Sequence, residues 1–301
     1  MSKDKIIIVI GANGYIGKKL VYRSLKNGFM TIAFSRKNNQ RLSKNTGRLH
    51  LINYGNTYNK INILNKLKGL HLSNNKDIFF IHASGPAHSK NISKDEFKNG
   101  IEVSAVFFAK IAKTLNANFI YLSSIAARDY EKIQSHVKSY GKYKLYAENK
   151  INNIFSNSSK SLIILRLPSV WGKNAPGSFG LIEKIIKTKI PLPIMSIKNK
   201  RPYINIDFLV TKVFEIINII QKTRKRKNYN FEISDGDYSL LEIIQKISHE
   251  NNKRIRTFHF PEIIIKLFLI IICKKDLLYQ IFNPLEIDNK KIKKFLSMVK
   301  E

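Results

Sequence analysis

Tyr140 and Lys144 stand four positions apart in Ser139-Tyr140-Gly141-Lys142-Tyr143-Lys144, a spacing that puts two side chains on one face of a helix. A free tyrosine titrates near about 10, so it exchanges protons near neutrality only beside a cation. An ammonium one helical turn away supplies that field, and the pair reads as an acid/base and the group that tunes it. In a chain with 13 tyrosines and 53 Lys and Arg the pattern also arises by chance, with Tyr143 and Tyr146 as ordinary helix-face residues, so its position has to decide. Upstream, Phe119-Ile120-Tyr121-Leu122 reads as a strand ending in Ser123-Ser124. At the carboxyl edge of a parallel sheet the Ser124 hydroxyl can hydrogen-bond the oxygen on which the tyrosine acts. Ser124, Tyr140 and Lys144 are therefore the catalytic candidates.

A second constellation lies at the start of the chain. Gly11, Gly14 and Gly17 punctuate Gly11-Ala12-Asn13-Gly14-Tyr15-Ile16-Gly17, directly after five apolar residues and at the head of an amphipathic stretch. Glycines there let the backbone approach a pyrophosphate, which then rests on the helix N-terminus. The spacing is GxxGxxG rather than GxGxxG, and the strand-turn-helix context carries the reading of a bound nicotinamide dinucleotide. An acid about 20 residues on would hold a free ribose 2′-hydroxyl. Ser35-Arg36-Lys37 stands there instead, with Arg41 nearby. A guanidinium forks onto a 2′-phosphate, so NADP is favoured over NAD.

These residues need a parallel sheet to converge. Short apolar runs at Ile6–Ile10, Thr31–Ser35, Arg48–Ile52, Asp77–His82, Asn118–Ser123 and Leu162–Arg166 alternate with helical stretches, the pattern of βαβ units. The chemistry-bearing residues fall at the ends of these runs. A helix is expected around Lys138–Phe155, and Ser239-Leu240-Leu241-Glu242 is a capping box opening another that runs to His249. From Pro168 onward, Gly172, Pro176, Gly177, Pro191 and Pro193 break the regularity. The expected architecture is α/β, a Rossmann doubly wound parallel sheet over residues 1–168, with a small C-terminal substrate-binding lobe over 169–301. A strand and helix around 203–250 are expected to return to the Rossmann core.

Composition narrows the classes. The chain has 301 residues, a formal charge of +32 and one cysteine, so it forms no internal disulfide and suits a reducing compartment. No signal-peptide pattern opens it, and a cytoplasmic location is expected. The basic excess recurs in every segment instead of gathering in a patch, so no nucleic-acid partner is expected. No cluster of acids, histidines or cysteines suggests a metal. The longest apolar run, Ile263 to Cys273, is about half of a membrane span and is interrupted by Lys266. It reads as a buried helix, with shallow membrane contact beside Lys274 and Lys275 as the alternative.

With these residues in order, the chain resembles the extended short-chain dehydrogenase/reductases, in their NAD-dependent epimerase/dehydratase branch acting on nucleotide sugars. The resemblance covers nearly the whole chain. It rests on the glycine turn, His82-Ala83-Ser84-Gly85, Phe119–Ser124, and Tyr140-Gly141-x-x-Lys144 continuing into Leu145 and Glu148. It extends to Leu165-Arg166-Leu167-Pro168-Ser169-Val170-Trp171-Gly172, Arg201-Pro202-Tyr203-Ile204-Asn205-Ile206-Asp207, and Leu285-Glu286-Ile287-Asp288-Asn289. It implies that Tyr140 is the acid/base, Lys144 binds the nicotinamide ribose and Ser124 orients the sugar C4 oxygen. Hydride would move at C4, in a UDP-hexose or UDP-N-acetylhexosamine 4-epimerase or a 4-keto-6-deoxysugar reductase of surface-polysaccharide synthesis. The implied cofactor-binding set is Gly11, Asn13, Gly14, Tyr15, Ile16, Gly17, Arg36, Ala83, Ser84, Gly85, Tyr140, Lys144 and Pro168. Ser178 and Arg201 would meet the nucleotide diphosphate.

The family often dimerises through the helices around Lys94–Leu115 and Tyr140–Phe155, which makes a homodimer an expectation. Three departures stand out. Asn56 takes the place of an adenine-holding aspartate, Asn99 or Ile101 stands where an asparagine is usual, and Ser124 and Tyr140 are only 16 positions apart. The alternative is a non-catalytic dinucleotide sensor or RNA-binding protein on the same fold.

Overall fold

The computed structural model describes residues 5–37, 47–55, 58–70, 72, 77–86, 93–132, 136–188, 190–223, 227–272, 278 and 281–298. Arg41, Asn56, Cys273, Lys274 and Lys275, weighed above, lie outside them. The chain forms two compact units: Met1–Arg166 with Val210–Glu232 and Lys290–Glu301, and Leu167–Leu209 with Ile233–Asn289. The stretch around 203–250 is thus shared between them.

The first unit opens with β1 (Lys5–Ile10), every residue of which is buried. From Ile6 onward it is wholly apolar, as a central position in a parallel sheet covered on both faces selects. It is followed by α1 (Tyr15–Lys26), β2 (Met30–Ser35), β3 (Leu49–Asn53), α2 (Lys60–Lys68) and β4 (Asp77–His82). Then come α3 (Lys94–Phe97), a π-helical turn (Lys98–Val103), α4 (Ser104–Thr114) and β5 (Asn118–Ser124). The unit continues through α5 (Ala126–Asp129), a 3₁₀ turn (Tyr130–Lys132), α6 (His136–Phe155) and β6 (Leu162–Leu167).

The seven-stranded sheet has the order β3-β2-β1-β4-β5-β6-β9, β9 being Asn228–Glu232. The pairs β1/β2, β1/β4, β4/β5 and β6/β9 are parallel. This is a Rossmann-like sheet whose strand order reverses beside β1, the switch point at which such sheets bind ligands. The carboxyl ends of β1, β4 and β5 deliver Gly11, Ala83–Gly85 and Ser123–Ser124 to that place. Phe80, Phe108, Phe119, Tyr121 and Phe155 fill one core between sheet and helices.

The second unit holds β7 (Ser169–Trp171), α7 (Ser178–Thr188), β8 (Lys200–Asn205), β10 (Gly236–Ser239), α9 (Leu240–Glu250) and α10 (Glu262–Ile271). Its sheet runs β10-β8-β7, with β7 and β10 only three and four residues long. The capping box at Ser239 is formed in both directions with Glu242. Helix α8 (Ile206–Thr223) joins the two units in sequence.

One expectation is overturned. Helix α10 is not buried: Ile263 is 70% exposed, Ile271 76%, and only Leu269 is buried. Glu262, Ile265, Lys266 and Leu269 share one helix face, on which Glu262 and Lys266 are ion-paired at 2.6 Å with their side chains 39 and 42% exposed. Lys266 also lies over the Phe282 ring at 4.7 Å. Leu269 alone on that face is buried, and most of the helix's apolar side chains point outward. An almost uniformly apolar run has no periodicity to reveal that choice. Among the described residues no helix is long and apolar enough to cross a membrane.

Candidate active site

The glycine turn is held against β2, with the Gly11 and Ala12 amides donating to the Phe34 carbonyl at 3.0 and 3.1 Å. Gly11 has φ +83°, and a Cβ there would lie 2.9 Å from the Ser84 backbone. A Cβ on Gly17 would stand 2.1 Å from the Gly11 carbonyl oxygen. Both positions need glycine, for conformation and for close approach. Helix α1 opens at Gly14 with no side-chain cap and no acid in its first turn, which leaves its first amides and positive dipole end for an anion. Asn13 donates through Nδ2 to the Lys37 carbonyl at 3.1 Å, while its buried Oδ1 has no hydrogen-bond partner among the described residues. A narrow glycine cradle, uncapped helix amides and an orphaned acceptor fit a dinucleotide pyrophosphate. Tyr15 and Ile16 sit in the first turn of α1. Arg36 is exposed just past the end of β2, where its charge lowers the pKa of the Tyr54 phenol against the larger effect of burial, which takes it up to about 12.

At the neighbouring strand ends the acid/base residues converge. Ser124 stands close enough to Tyr140 for its hydroxyl to lower the phenol's pKa, and the Ser124 Oγ accepts from the Ala126 amide at 3.2 Å, which fixes its rotamer. Desolvation takes the Tyr140 phenol up to about 12, partly offset by Ser124. Lys144 is 3% exposed and donates through Nζ to the Leu122 carbonyl at 2.8 Å. That ammonium lies 4.7 Å from the Tyr121 ring centroid and 5.8 Å from that of Tyr140. Burial lowers Lys144 to about 7, with Glu148 pulling the other way. A Cβ on Gly85 would come 3.9 Å from Lys144 Nζ and 3.6 Å from Ile101 Cγ1, so β4's end, the π turn and α6 border one space.

Three positioning devices were not assigned a role from sequence. Gly141 is the first: a Cβ there would lie 2.2 Å from the Ala126 carbonyl oxygen, so only glycine lets α6 press against α5 beside Tyr140. The second is a buried clamp. Glu148, 1% exposed, accepts from Ser123 Oγ at 2.5 Å and from Arg166 Nη2 at 2.6 Å and Nε at 3.1 Å. It ties the end of β5 to α6 and β6. The third is the π turn, which buries Ile101 toward Gly85 and leaves Asn99 exposed. Ile101 therefore holds the site-facing position. The short interval between Ser124 and Tyr140 is filled by α5 and a 3₁₀ turn.

Beneath Ser84 lies a chain of buried polar groups. Tyr54 is buried beside Ser84 and Ser104, whose hydroxyls lower its phenol pKa against the larger effect of burial, and His82 Nε2 meets Ser104 Oγ at 3.0 Å. Full burial takes His82 down to about 3, so it is neutral. Among the described residues no group of three His, Cys, Asp or Glu could hold a metal ion. Pro168, Ser178 and Arg201 belong to the second unit. There Pro168 precedes β7, Ser178 opens α7 and Arg201 lies on β8 opposite Tyr238. Phe179 and Tyr203 pack edge-on at 5.9 Å, holding α7 to β8.

The family described as NAD dependent epimerase/dehydratase matches residues 7–231. A UDP-glucose 4-epimerase of Vibrio cholerae is 24% identical over 94% of this chain and 87% of its own length. Among solved structures, a UDP-N-acetylglucosamine 4-epimerase from Bacillus cereus superposes with TM-score 0.67 at 18% identity, over 97% of this chain and 92% of that one. The Bordetella bronchiseptica enzyme WbmG, solved in complex with NAD, gives TM-score 0.70 at 14% identity, over 98% and 88%.

Proposed function

The chain belongs to the NAD-dependent epimerase/dehydratase family, and from that premise we propose that it is a nucleotide-sugar epimerase working by hydride transfer at the sugar C4. The observation that carries this is the convergence of Ser124 and Tyr140 with a buried Lys144, its ammonium 5.8 Å from the Tyr140 ring, at the sheet edge that also presents the glycine cradle.

A bound nicotinamide supplies the acceptor and donor for the hydride. The chain's own residues handle the proton and the oxygen. Ser124 holds the C4 oxygen. Tyr140 Oη takes its proton as the C4–H bond breaks to give a 4-keto sugar, and returns that proton when hydride adds back to the opposite face. With its phenol raised to about 12, free Tyr140 rests protonated at neutrality. It is set to donate to a ketone oxygen and needs the Lys144 ammonium to give up that proton in the oxidising half. Gly11, Asn13, Gly14 and Gly17 hold the pyrophosphate, and Ser178 and Arg201 are assigned to the diphosphate of the sugar nucleotide. UDP-hexose and UDP-N-acetylhexosamine are the substrates to try first, on the likeness to relatives named for them. A cytoplasmic homodimer serving surface-polysaccharide synthesis completes the reading.

A second reading, a 4-keto sugar reductase using NADPH, is favoured by Arg36 at the end of β2, where no acid stands. The two separate on one preparation. An epimerase carries its dinucleotide through purification and equilibrates UDP-glucose with UDP-galactose without added cofactor. Protein that carries none but oxidises NADPH with a 4-keto sugar nucleotide is a reductase. If Tyr140→Phe leaves both activities unchanged, the catalytic reading fails and the dinucleotide-sensing alternative takes its place.

A further inference from the structure

Helix α10 turns most of its apolar side chains outward. Its one buried residue is Leu269, and the Glu262–Lys266 pair, with side chains 39 and 42% exposed, lies on the same face. Ile263, Ile264, Leu267, Phe268, Ile270 and Ile271 are all between 44 and 76% exposed. Six large apolar side chains on one short helix exceed the scattered surface apolar residues normal in a monomer, and a contiguous patch of this kind marks an interaction surface.

The surroundings say what covers it. The segment that delivers the helix carries exposed Lys253, Arg254 and Arg256. It is tied to the strand-like stretch after α7, the Leu192 amide donating to the Arg256 carbonyl at 2.9 Å and the Phe258 amide to the Leu192 carbonyl at 3.0 Å. Exposed Phe258 and Ile190, 42 and 59% accessible, extend the apolar character along that tie. Exposed bases in the segment that leads into an exposed apolar helix match a surface that is anionic outside and apolar within. A second copy would bring the same bases, on a chain of +32, against each other. A ten-residue helix is about 15 Å long, half of the roughly 30 Å hydrocarbon thickness, so it can lie in an interface but not cross it.

We propose that α10 is an interfacial helix that seats this chain on an anionic bilayer, its apolar face among the acyl chains and the neighbouring bases on the headgroups. Binding follows from buried apolar area together with attraction to anionic lipid, so both parts are required.

The test is co-sedimentation of the full chain with vesicles of phosphatidylglycerol and phosphatidylcholine, beside vesicles of phosphatidylcholine alone. The expected result is at least about tenfold tighter binding to the anionic vesicles, weakened by salt. The variant Ile263→Asn/Phe268→Ser/Ile271→Asn, altered only at exposed positions, should lose at least about tenfold in vesicle affinity while its unfolding temperature and turnover stay at parent values. Phe268→Trp gives a second readout, an emission that shifts to the blue on anionic vesicles. No binding to either vesicle overturns the proposal. So does equal binding by the triple variant, which assigns the effect to charge alone. A parent dimer that the triple variant converts to monomer, without vesicle binding, overturns it in favour of a second copy.

Discussion

Replacing Glu148 by glutamine removes one charge and almost no volume from the most enclosed ion pair among the described residues of the first unit. The Glu148 side chain is 2% exposed and that of Arg166 17%. The carboxylate accepts three hydrogen bonds from the Arg166 guanidinium, between 2.6 and 3.2 Å, and a fourth from Ser123. Breaking a buried pair from one side costs about 3–5 kcal/mol, and the partial exposure of Arg166 places this case at about 3 kcal/mol. For a chain of this size that is a fall of about 5 °C in unfolding temperature, read by circular dichroism or calorimetry. Ser123 precedes the serine we assign to the C4 oxygen, so on that proposal kcat should drop by about tenfold, with KM and retained dinucleotide near parent values. Glu148→Gln/Arg166→Met, which leaves no unpaired charge, should recover most of the stability but not the rate. A single variant within about 1 °C and twofold of the parent would refute the clamp.

Three further outcomes follow from the same geometry. Tyr140→Phe should lower turnover by about 10²–10⁴-fold with unfolding temperature and cofactor retention unchanged, checked by initial rates and by mass spectrometry of the released dinucleotide. Gly141→Ala forces a methyl against the Ala126 carbonyl, and an overpacking cost of about 1–3 kcal/mol should appear in urea denaturation together with a loss of turnover. His82 has a folded-state pKa of about 3 against 6.5 in the unfolded chain. The unfolded state then binds the extra proton below pH 6.5, so stability falls as pH falls, by about 2 kcal/mol between pH 6.5 and 5. His82→Gln should flatten that slope in urea titrations, and an unchanged slope would remove His82 from the acid response.

Much of the sheet was legible because its strands are buried on both faces and write themselves as continuous apolar runs, as in Lys5–Ile10 and Asp77–His82. The glycine turn and the Tyr140/Lys144 pair were legible because each is a local pattern on one turn or one helix face. The clamp was not: Glu148 and Arg166 are 18 positions apart, and in a chain this basic one arginine does not announce an ion pair. Gly141 was seen as a match but not explained, since its reason lies in Ala126, on another helix. The three-stranded sheet was missed because strands such as Ser169–Trp171 are too short to establish a period. Helix α10 was placed in sequence and misjudged in environment, because periodicity tells which residues share a face and not what lies opposite.

The π turn at Lys98–Val103 bears on how α3 and α4 are joined. A wide turn holds one residue more than the α-helical ladder needs, so it acts as a phase slip: α3, before it, is rotated by about 100° from where α4's own winding would carry it. Glu102 is thereby aimed at Lys150, its Oε1 2.5 Å from the ammonium, while its neighbour Ile101 turns to Gly85. The slip acts as a vernier on the helix. Deleting one residue within the turn would restore continuous winding and exchange which side chains address Gly85 and which address α6.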